Sequence, residues 1–254
     1  MAIVLLHGNP ETPVIWEPLI AELDRRGHGD CITPQLPGFG CGVPDGFAAT
    51  KDEYAAWFTV VLNDIVAEHG PVDLVAHDWG GGIGMRVVSQ HPELVRTWAC
   101  DVLGLFHPDY VWHDFAQIWQ TPGAGEEYFA QTNATPTAER VALYEAIGIP
   151  AAVGAQLVAA ADDLMGRCVL ALYRSAAQPA LVAWGAELAS AGTRPGLCLF
   201  APNDPFVRGH DLATQVAAQL GAEVVELADQ GHWWMLGAPA LGAEVLSDFW
   251  ARHG

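Results

Sequence analysis

The chain alternates between short apolar runs and segments with helical spacing, and this alternation constrains its fold more than any other feature. The runs AIVLLHG, CITP, VDLVAHD and RTWACDVLG are short enough to be buried parallel strands. Between them lie amphipathic segments such as IWEPLIAELDRRG and EYAAWFTVVLNDIVAEHG, which end at glycine, as helices often do. The pattern predicts an α/β fold with a mostly parallel, doubly wound sheet and helices on both faces.

The alternation is interrupted between residues 106 and 188. In this segment aromatic residues, Gly/Pro breaks and helical stretches follow one another with no convincing strand. Strand and helix patterns then resume with GLCLFAPND, HDLATQVAAQLG and AEVVELA. We therefore predict a core formed by residues 1–105 and 189–254, and a helical cap formed by residues 106–188 that is inserted after the fourth strand.

The composition argues against several classes of protein. A formal net charge of −19 with a single lysine disfavours a nucleic-acid partner and binding to anionic membranes. The five cysteines are scattered and form no CxxC pair, so neither a zinc site nor a disulfide framework is expected. The chain has no signal-peptide pattern at its start and no apolar run long enough to span a bilayer. These features predict a cytoplasmic protein with reduced thiols; they favour no particular substrate and do not predict its oligomeric state.

Polar side chains follow several of the predicted strands, where ligands meet a doubly wound sheet. Asn9 follows the first strand, Asp78 and Trp79 follow the third, Asp204 follows the penultimate strand and His232 follows the last. The set contains a nucleophile, an acid and a histidine in that chain order. This is the order in which the α/β-hydrolase fold carries its catalytic residues.

The motifs around these residues resemble the α/β-hydrolase fold family, and within it the aspartate-nucleophile branch of haloalkane dehalogenases and epoxide hydrolases. AHDWG at residues 76–80 matches the nucleophile elbow, with alanine in place of its first glycine. HGNP at 7–10 resembles the oxyanion-hole loop, NDPF at 203–206 the acid loop and GHW at 231–233 the histidine loop. The resemblance covers nearly the whole chain and implies this fold with an inserted cap. Family members usually carry a strand hairpin before the His-Gly strand, which is where this chain begins, so the sheet is expected to lack that hairpin.

A carboxylate nucleophile narrows the reaction class. A carboxyl with an ordinary pKa of about 4 is already ionised at neutral pH. Its attack on an ester or amide carbonyl would form an anhydride, whereas attack on an sp3 carbon with a leaving group forms a stable alkyl ester. Water activated by His232 would cleave the ester on Asp78, with Asp204 orienting the imidazole. The backbone N–H groups of Asn9 and Trp79 would stabilise the oxyanion. No cofactor and no metal is required.

The leaving group decides between two reactions. Dehalogenases that resemble this chain hold the halide between the tryptophan after the nucleophile and a second side chain, and Trp79 and Asn9 supply both. Epoxide hydrolases use cap tyrosines as proton donors. The first of these positions corresponds to Phe115, which cannot donate, whereas the second corresponds to Tyr173. The resemblance therefore favours hydrolytic dehalogenation of a small haloalkane, with epoxide hydrolysis through Tyr173 as the alternative.

Each candidate residue also has a purely structural explanation. Asp78 could cap a helix, Asp204 could form a turn and His232 could be an ordinary loop histidine. Their joint placement at the correct strand ends, in the correct order, favours the catalytic interpretation. Asp101 also ends a strand and is a second candidate for the acid. A non-catalytic small-molecule binding protein on the same fold is the alternative from another functional class.

Overall fold

The computed structural model describes residues 2–207 and 210–253. In this part of the chain one sheet is formed by the strands β1 (Ile3–Leu6), β2 (Cys31–Ile32), β3 (Val72–Ala76), β4 (Val95–Cys100), β5 (Gly196–Phe200) and β6 (Glu223–Glu226). The strand order is β2-β1-β3-β4-β5-β6, and every neighbouring pair is parallel. The predicted parallel sheet is confirmed. Among the described residues no strand precedes β1.

Helices connect the strands and cover the sheet. The α-helices of the described residues are α1 (Glu17–Arg25), α2 (Lys51–His69), α3 (Trp79–Gln90), α4 (Asp114–Gln120), α5 (Ala124–Ala134), α6 (Thr137–Ala146), α7 (Ala151–Ala160), α8 (Asp163–Ser175), α9 (Ala180–Gly185), α10 (His210–Leu220), α11 (Trp234–Gly237) and α12 (Pro239–His253). Short 3-10 helices are formed by Pro13–Trp16, Pro92–Leu94, Leu103–Phe106 and Leu188–Thr193. None of these helices is both long enough and apolar enough to cross a membrane.

The alternating side chains of β1 show that the sheet has a hydrophobic core on each face. Val4 and Leu6 pack with residues of α2, α3 and α10. Ile3 and Leu5 pack on the other face with residues of α1 and α12. Because side chains alternate along a strand, a strand buried on both faces must be apolar throughout, and the IVLL sequence of β1 meets that requirement. The doubly wound arrangement is confirmed.

The topology brings the carboxyl ends of β1 and β3 together. The chain winds outward from β1 in one direction to β2 and in the other direction to β3. Ligands of such sheets bind at this reversal point, outside the carboxyl ends of the two strands. The loop that contains Asn9 leaves β1 here, and Asp78 leaves β3.

Helices α4 to α9 all lie between β4 and β5 in the chain, and this described segment contains no strand. Helix α8 of this segment contacts the loop after β2 and the start of α2. The Ser175 hydroxyl accepts a hydrogen bond from the backbone N–H of Lys51 at 2.8 Å. A Cβ on Gly38 would lie 2.3 Å from Cys168 Sγ, so only glycine permits this close approach. The boundaries of the cap at residues 106 and 188 stay a prediction.

Candidate active site

Asp78 lies in the sharp turn between β3 and α3, and its backbone has a φ of 48°. A positive φ is uncommon for a non-glycine residue, and strained backbone of this kind clusters at functional sites. The turn packs closely against β1, because a Cβ on Gly80 would lie 2.2 Å from the Leu6 carbonyl oxygen. The Asp78 side chain makes no capping hydrogen bond to α3. Helix capping therefore does not explain the carboxylate.

The loop after β1 reaches one oxygen of this carboxylate. The backbone N–H of Asn9 donates to Asp78 Oδ1 at 2.7 Å. A Cβ on Gly8 would lie 2.2 Å from the same oxygen, so a larger residue would displace the loop from the carboxylate. The second expected donor, the backbone N–H of Trp79, makes no hydrogen bond to Asp78 among the contacts of the described residues.

The second oxygen of Asp78 faces His232. The distance from His232 Nε2 to Asp78 Oδ2 is 3.9 Å, which is too long for a direct hydrogen bond. On the other side of the ring, His232 Nδ1 lies 2.7 Å from Asp204 Oδ2. Asp204 Oδ1 accepts from the backbone N–H groups of Phe206 and Val207. The structure thus brings the three predicted catalytic side chains together at the ends of β3, β5 and β6.

Asp101, the second candidate for the acid, points elsewhere. Its Oδ2 lies 2.6 Å from His77 Nδ1 and accepts from Trp234 Nε1 at 2.8 Å, while its Oδ1 accepts from the backbone N–H of Asp78 at 3.2 Å. It makes no ion pair with His232 among the described residues. The geometry therefore gives Asp204 the position next to the histidine and gives Asp101 a position behind the elbow.

Burial and charge tune these groups. Burial raises the pKa of Asp78 to about 6, although His232 opposes the shift. Burial would lower the pKa of His232, but Asp204 and Asp78 outweigh it and raise that pKa above its usual value. Burial would raise the pKa of Asp204, but His232 and two backbone N–H groups lower it. The carboxylates of Asp204 and Asp78 thus favour the charged form of His232, which lies between them.

Glu11 completes a buried polar network that the sequence argument missed. Its carboxylate accepts from the backbone N–H of Gly8 at 3.0 Å and from Trp233 Nε1 at 2.5 Å, and it lies 3.1 Å from His77 Nε2. His77 in turn contacts Asp101, so one imidazole links the two carboxylates. Burial would raise the pKa of Glu11, but His77 and other donors lower it to about 2. The signal in the sequence was an acidic residue directly after the HGNP loop.

Apart from His232 Nε2, the side-chain atoms of this network lie within hydrogen-bond distance of protein partners. Glu11, His77 and His232 lie close enough together to hold a metal ion, and all three are buried. Both nitrogens of His77 face carboxylates, however, and His232 Nδ1 faces Asp204. The network is fully explained as a hydrogen-bonded ion cluster around the protonated His77, whose pKa Asp101 and Glu11 raise well above its usual value against the effect of burial.

Three side chains that can donate hydrogen bonds lie close together near Asp78. The Tyr173 hydroxyl accepts from Asn9 Nδ2 at 3.4 Å, and the Tyr173 ring meets the Trp79 indole edge-on with ring centroids 5.3 Å apart. Burial raises the pKa of Tyr173 well above its usual value, so its hydroxyl keeps its proton at neutral pH. Asn9, Trp79 and Tyr173, which the sequence singled out separately, therefore meet at one point. Phe115 lies apart from this point, half exposed and stacked on Trp119.

Asp78 opens into a cavity of about 430 Å³ between the sheet and the helical segment. This volume is in the range of small-molecule sites. The surface of the walls is mainly apolar, and His113 is one of the polar residues that line them. His113 Nδ1 accepts a hydrogen bond from the backbone N–H of Ala116. Sequence reasoning missed His113, because its position after the aromatic run gave no motif.

Comparison with known proteins decides the family. The profile of the alpha/beta hydrolase family matches residues 3–245, nearly the whole chain. The chain belongs to this family. This α/β hydrolase is therefore an enzyme of the hydrolase class, which favours catalysis over a binding protein without activity.

Haloalkane dehalogenases are among the relatives of this α/β hydrolase. A haloalkane dehalogenase of Bradyrhizobium diazoefficiens is 28% identical over 153 residues, which are 52% of this chain and 46% of that protein. Haloalkane dehalogenase 2 of Mycobacterium tuberculosis is 26% identical over 273 aligned positions, with 97% of this chain and 87% of that protein covered. The match to the Bradyrhizobium protein thus spans less than half of that relative's length.

Solved structures extend the likeness in fold. The crystal structure of a loop variant of the haloalkane dehalogenase DbeA from Bradyrhizobium elkanii superposes with a TM-score of 0.75 at 23% identity. The superposition covers 99% of this α/β hydrolase and 90% of that chain. Identity at this level establishes the shared fold, and the reaction has to be argued from the site.

Proposed function

We propose that this α/β hydrolase removes halide from small haloalkanes through a covalent ester on Asp78. The observation that carries the proposal is the placement of the two carboxylate oxygens. Oδ1 is held by the backbone N–H of Asn9, while Oδ2 faces the cavity next to His232. An elbow carboxylate beside a histidine supports nucleophilic substitution followed by hydrolysis.

In the first step Asp78 Oδ2 attacks the carbon that bears the halogen. A carbon–oxygen bond forms, the carbon–halogen bond breaks, and the halide leaves with the electron pair. The raised pKa of about 6 makes the carboxylate a stronger nucleophile than an exposed aspartate and still leaves it ionised at neutral pH. The side chains of Asn9 and Trp79 supply donors for the departing halide.

In the second step the ester is cleaved by water. Esterification removes the negative charge of Asp78, which is one of the groups that raise the pKa of His232. The pKa of His232 therefore falls, so the ring gives up its proton, and neutral His232 takes a proton from water through Nε2 while Asp204 holds Nδ1. The water oxygen attacks Cγ of Asp78, and the Asn9 N–H stabilises the oxyanion on Oδ1. The Cγ–Oδ2 bond then breaks, His232 returns the proton to the departing oxygen, the alcohol leaves, and the carboxylate is restored with the water oxygen in it.

A specific observation favours a second candidate function. The Tyr173 hydroxyl lies at the point where the side-chain donors of Asn9 and Trp79 meet, and it retains its proton. Such a hydroxyl could protonate an epoxide oxygen while Asp78 opens the ring. The same triad would then hydrolyse the ester to a diol. Phe115 offers no second donor, so this reaction would depend on Tyr173 alone or on another residue of the cavity.

A matched pair of substrates separates the two reactions. Purified enzyme is incubated with bromohexane and with epoxyhexane, and bromide release and diol formation are measured. We expect bromide and hexanol from the first compound. Tyr173→Phe should retain dehalogenation, because phenylalanine fills the same space without the hydroxyl. Diol formation that Tyr173→Phe abolishes, with no bromide release by the wild type, would overturn dehalogenation in favour of epoxide hydrolysis.

A further inference from the structure

Arg140 is a cation of the cavity whose side chain has no ion-pair or hydrogen-bond partner among the described residues. It belongs to α6 and lines the same cavity as Asp78. Among the cationic residues in 2–207 and 210–253, all but Arg140 and Arg167 make an ion pair or hydrogen bond to another residue. The chain has a net charge of −19, so carboxylates are abundant, yet none is within ion-pair distance of Arg140 in the described part. Arg167 differs because it is exposed on α8 and does not line the cavity.

Other donors accompany Arg140 in the cavity wall. Tyr144 lies one turn further along α6, and Tyr128 comes from α5. Burial raises the pKa of Tyr144 to about 12, with Arg140 opposing the shift, so the hydroxyl stays protonated at neutral pH. Burial also raises the pKa of Tyr128. Together these residues present a guanidinium and two phenol hydroxyls to the same cavity.

The remaining wall suits an aliphatic chain between this cation and the nucleophile. Leu143, Ile147 and Phe115 line the cavity and are partly exposed at its surface. Asp78 is the only acidic residue among the described lining residues. Asp78 makes no ion pair with Arg140 among the described residues, so the guanidinium does not occupy the nucleophile.

We propose that Arg140 binds the carboxylate of an anionic substrate, so that the enzyme acts on haloalkanoates with an aliphatic chain in preference to neutral haloalkanes. A guanidinium pairs with a carboxylate through two parallel hydrogen bonds, and such charge-assisted bonds are strongest away from bulk water. A protein this acidic repels anions over most of its surface, so an anionic substrate requires a local cation.

The reaction step of this inference rests on the proposed function, whereas its binding step does not. Asp78 Oδ2 forms the ester bond with the halogen-bearing carbon, which lies at the end of the substrate's aliphatic chain opposite its carboxylate. The halide leaves with the electron pair. Water then cleaves the ester, and the product is a hydroxyalkanoate whose carboxylate remains paired with Arg140. The alkanoate itself, without halogen, should also bind.

Binding is tested by calorimetric titration of octanoate and octanol into the wild type, Arg140→Gln and the matched surface variant Arg167→Gln. We expect wild type and Arg167→Gln to bind octanoate about 10- to 100-fold more tightly than octanol, and Arg140→Gln to lose that preference. Arg140→Lys should recover part of it, because lysine keeps the charge but not the paired hydrogen bonds. Thermal unfolding of each variant shows that it is folded.

Turnover gives a second, separable readout. The ratio of kcat/KM for terminally brominated hexanoate over bromohexane should fall at least about 10-fold in Arg140→Gln and stay unchanged in Arg167→Gln. Equal binding of octanoate and octanol by the wild type would overturn the anion site whether or not bromide is released. Octanoate binding that depends on Arg140, with no bromide from either substrate, would support the anion site and refute the proposed reaction instead.

Discussion

Asp78→Asn should lower the release of halide on the order of 10⁴-fold or more, because the amide cannot form the ester. The substitution keeps the size of the side chain and an oxygen that can accept from the Asn9 N–H. It also removes the negative charge whose burial raises the pKa of Asp78, so the variant should unfold at the same or a higher temperature than the wild type. Bromide release and the unfolding temperature are measured on the same samples.

Asp64→Asn is the matched control, because Asp64 is an exposed aspartate on α2 that makes no hydrogen bond or ion pair in the described structure. It should leave turnover unchanged. The pH profile gives an independent check on wild-type enzyme. Since only the ionised carboxylate attacks, kcat/KM should fall as the pH drops through about 6. Turnover by a folded Asp78→Asn protein at a rate near that of the wild type would contradict the role of Asp78.

Glu11→Gln should destabilise the protein by about 3–5 kcal/mol, because it breaks a buried charge pair while leaving His77 in place. One accepting oxygen becomes an amide donor, so it opposes either the Gly8 N–H or the Trp233 and His77 nitrogens. For a chain of this size the loss corresponds to a fall in Tm of roughly 6–20 °C. Thermal unfolding at neutral pH measures it.

The destabilisation caused by Glu11→Gln should depend on pH in a defined direction. The pKa of Glu11 is lowered to about 2 in the folded protein, so its contribution to stability is fully present above its unfolded pKa. The contribution is lost as the pH falls through about 2, and the Tm difference between variant and wild type should shrink there. Glu145→Gln is the control, because Glu145 is exposed and unpaired among the described residues. Equal Tm values for Glu11→Gln and Glu145→Gln would contradict the network.

The parts of the fold that follow from local sequence were predictable. Buried strands such as β1 and β3 need apolar residues on both faces, and helices such as α2 need amphipathic spacing and a cap. The elbow at Asp78 could also be predicted, because its small neighbours match a known motif. The parallel direction of the strands followed from the alternation, since parallel strands require crossover connections.

Contacts between distant segments were not predictable in the same way. Glu11, His77 and Asp101 lie in three different loops or strands, and only folding brings them within hydrogen-bond distance. Arg140 and His113 belong to the helical segment, where no motif fixes which side chains face the cavity. The sequence also predicted an ordinary pKa for the nucleophile. Burial instead raises the pKa of Asp78 to about 6.

The intact mass of His232→Phe after incubation with bromohexane tests the covalent mechanism most directly. Without the histidine, water is not activated and ester hydrolysis should stall, while attack by Asp78 continues. We predict one added hexyl group per protein, located on Asp78 by peptide mapping, with one bromide released. Asp78→Asn combined with His232→Phe should show no addition. Bromide release without any adduct on His232→Phe, or an adduct that persists when Asp78 is replaced, would contradict the ester on Asp78.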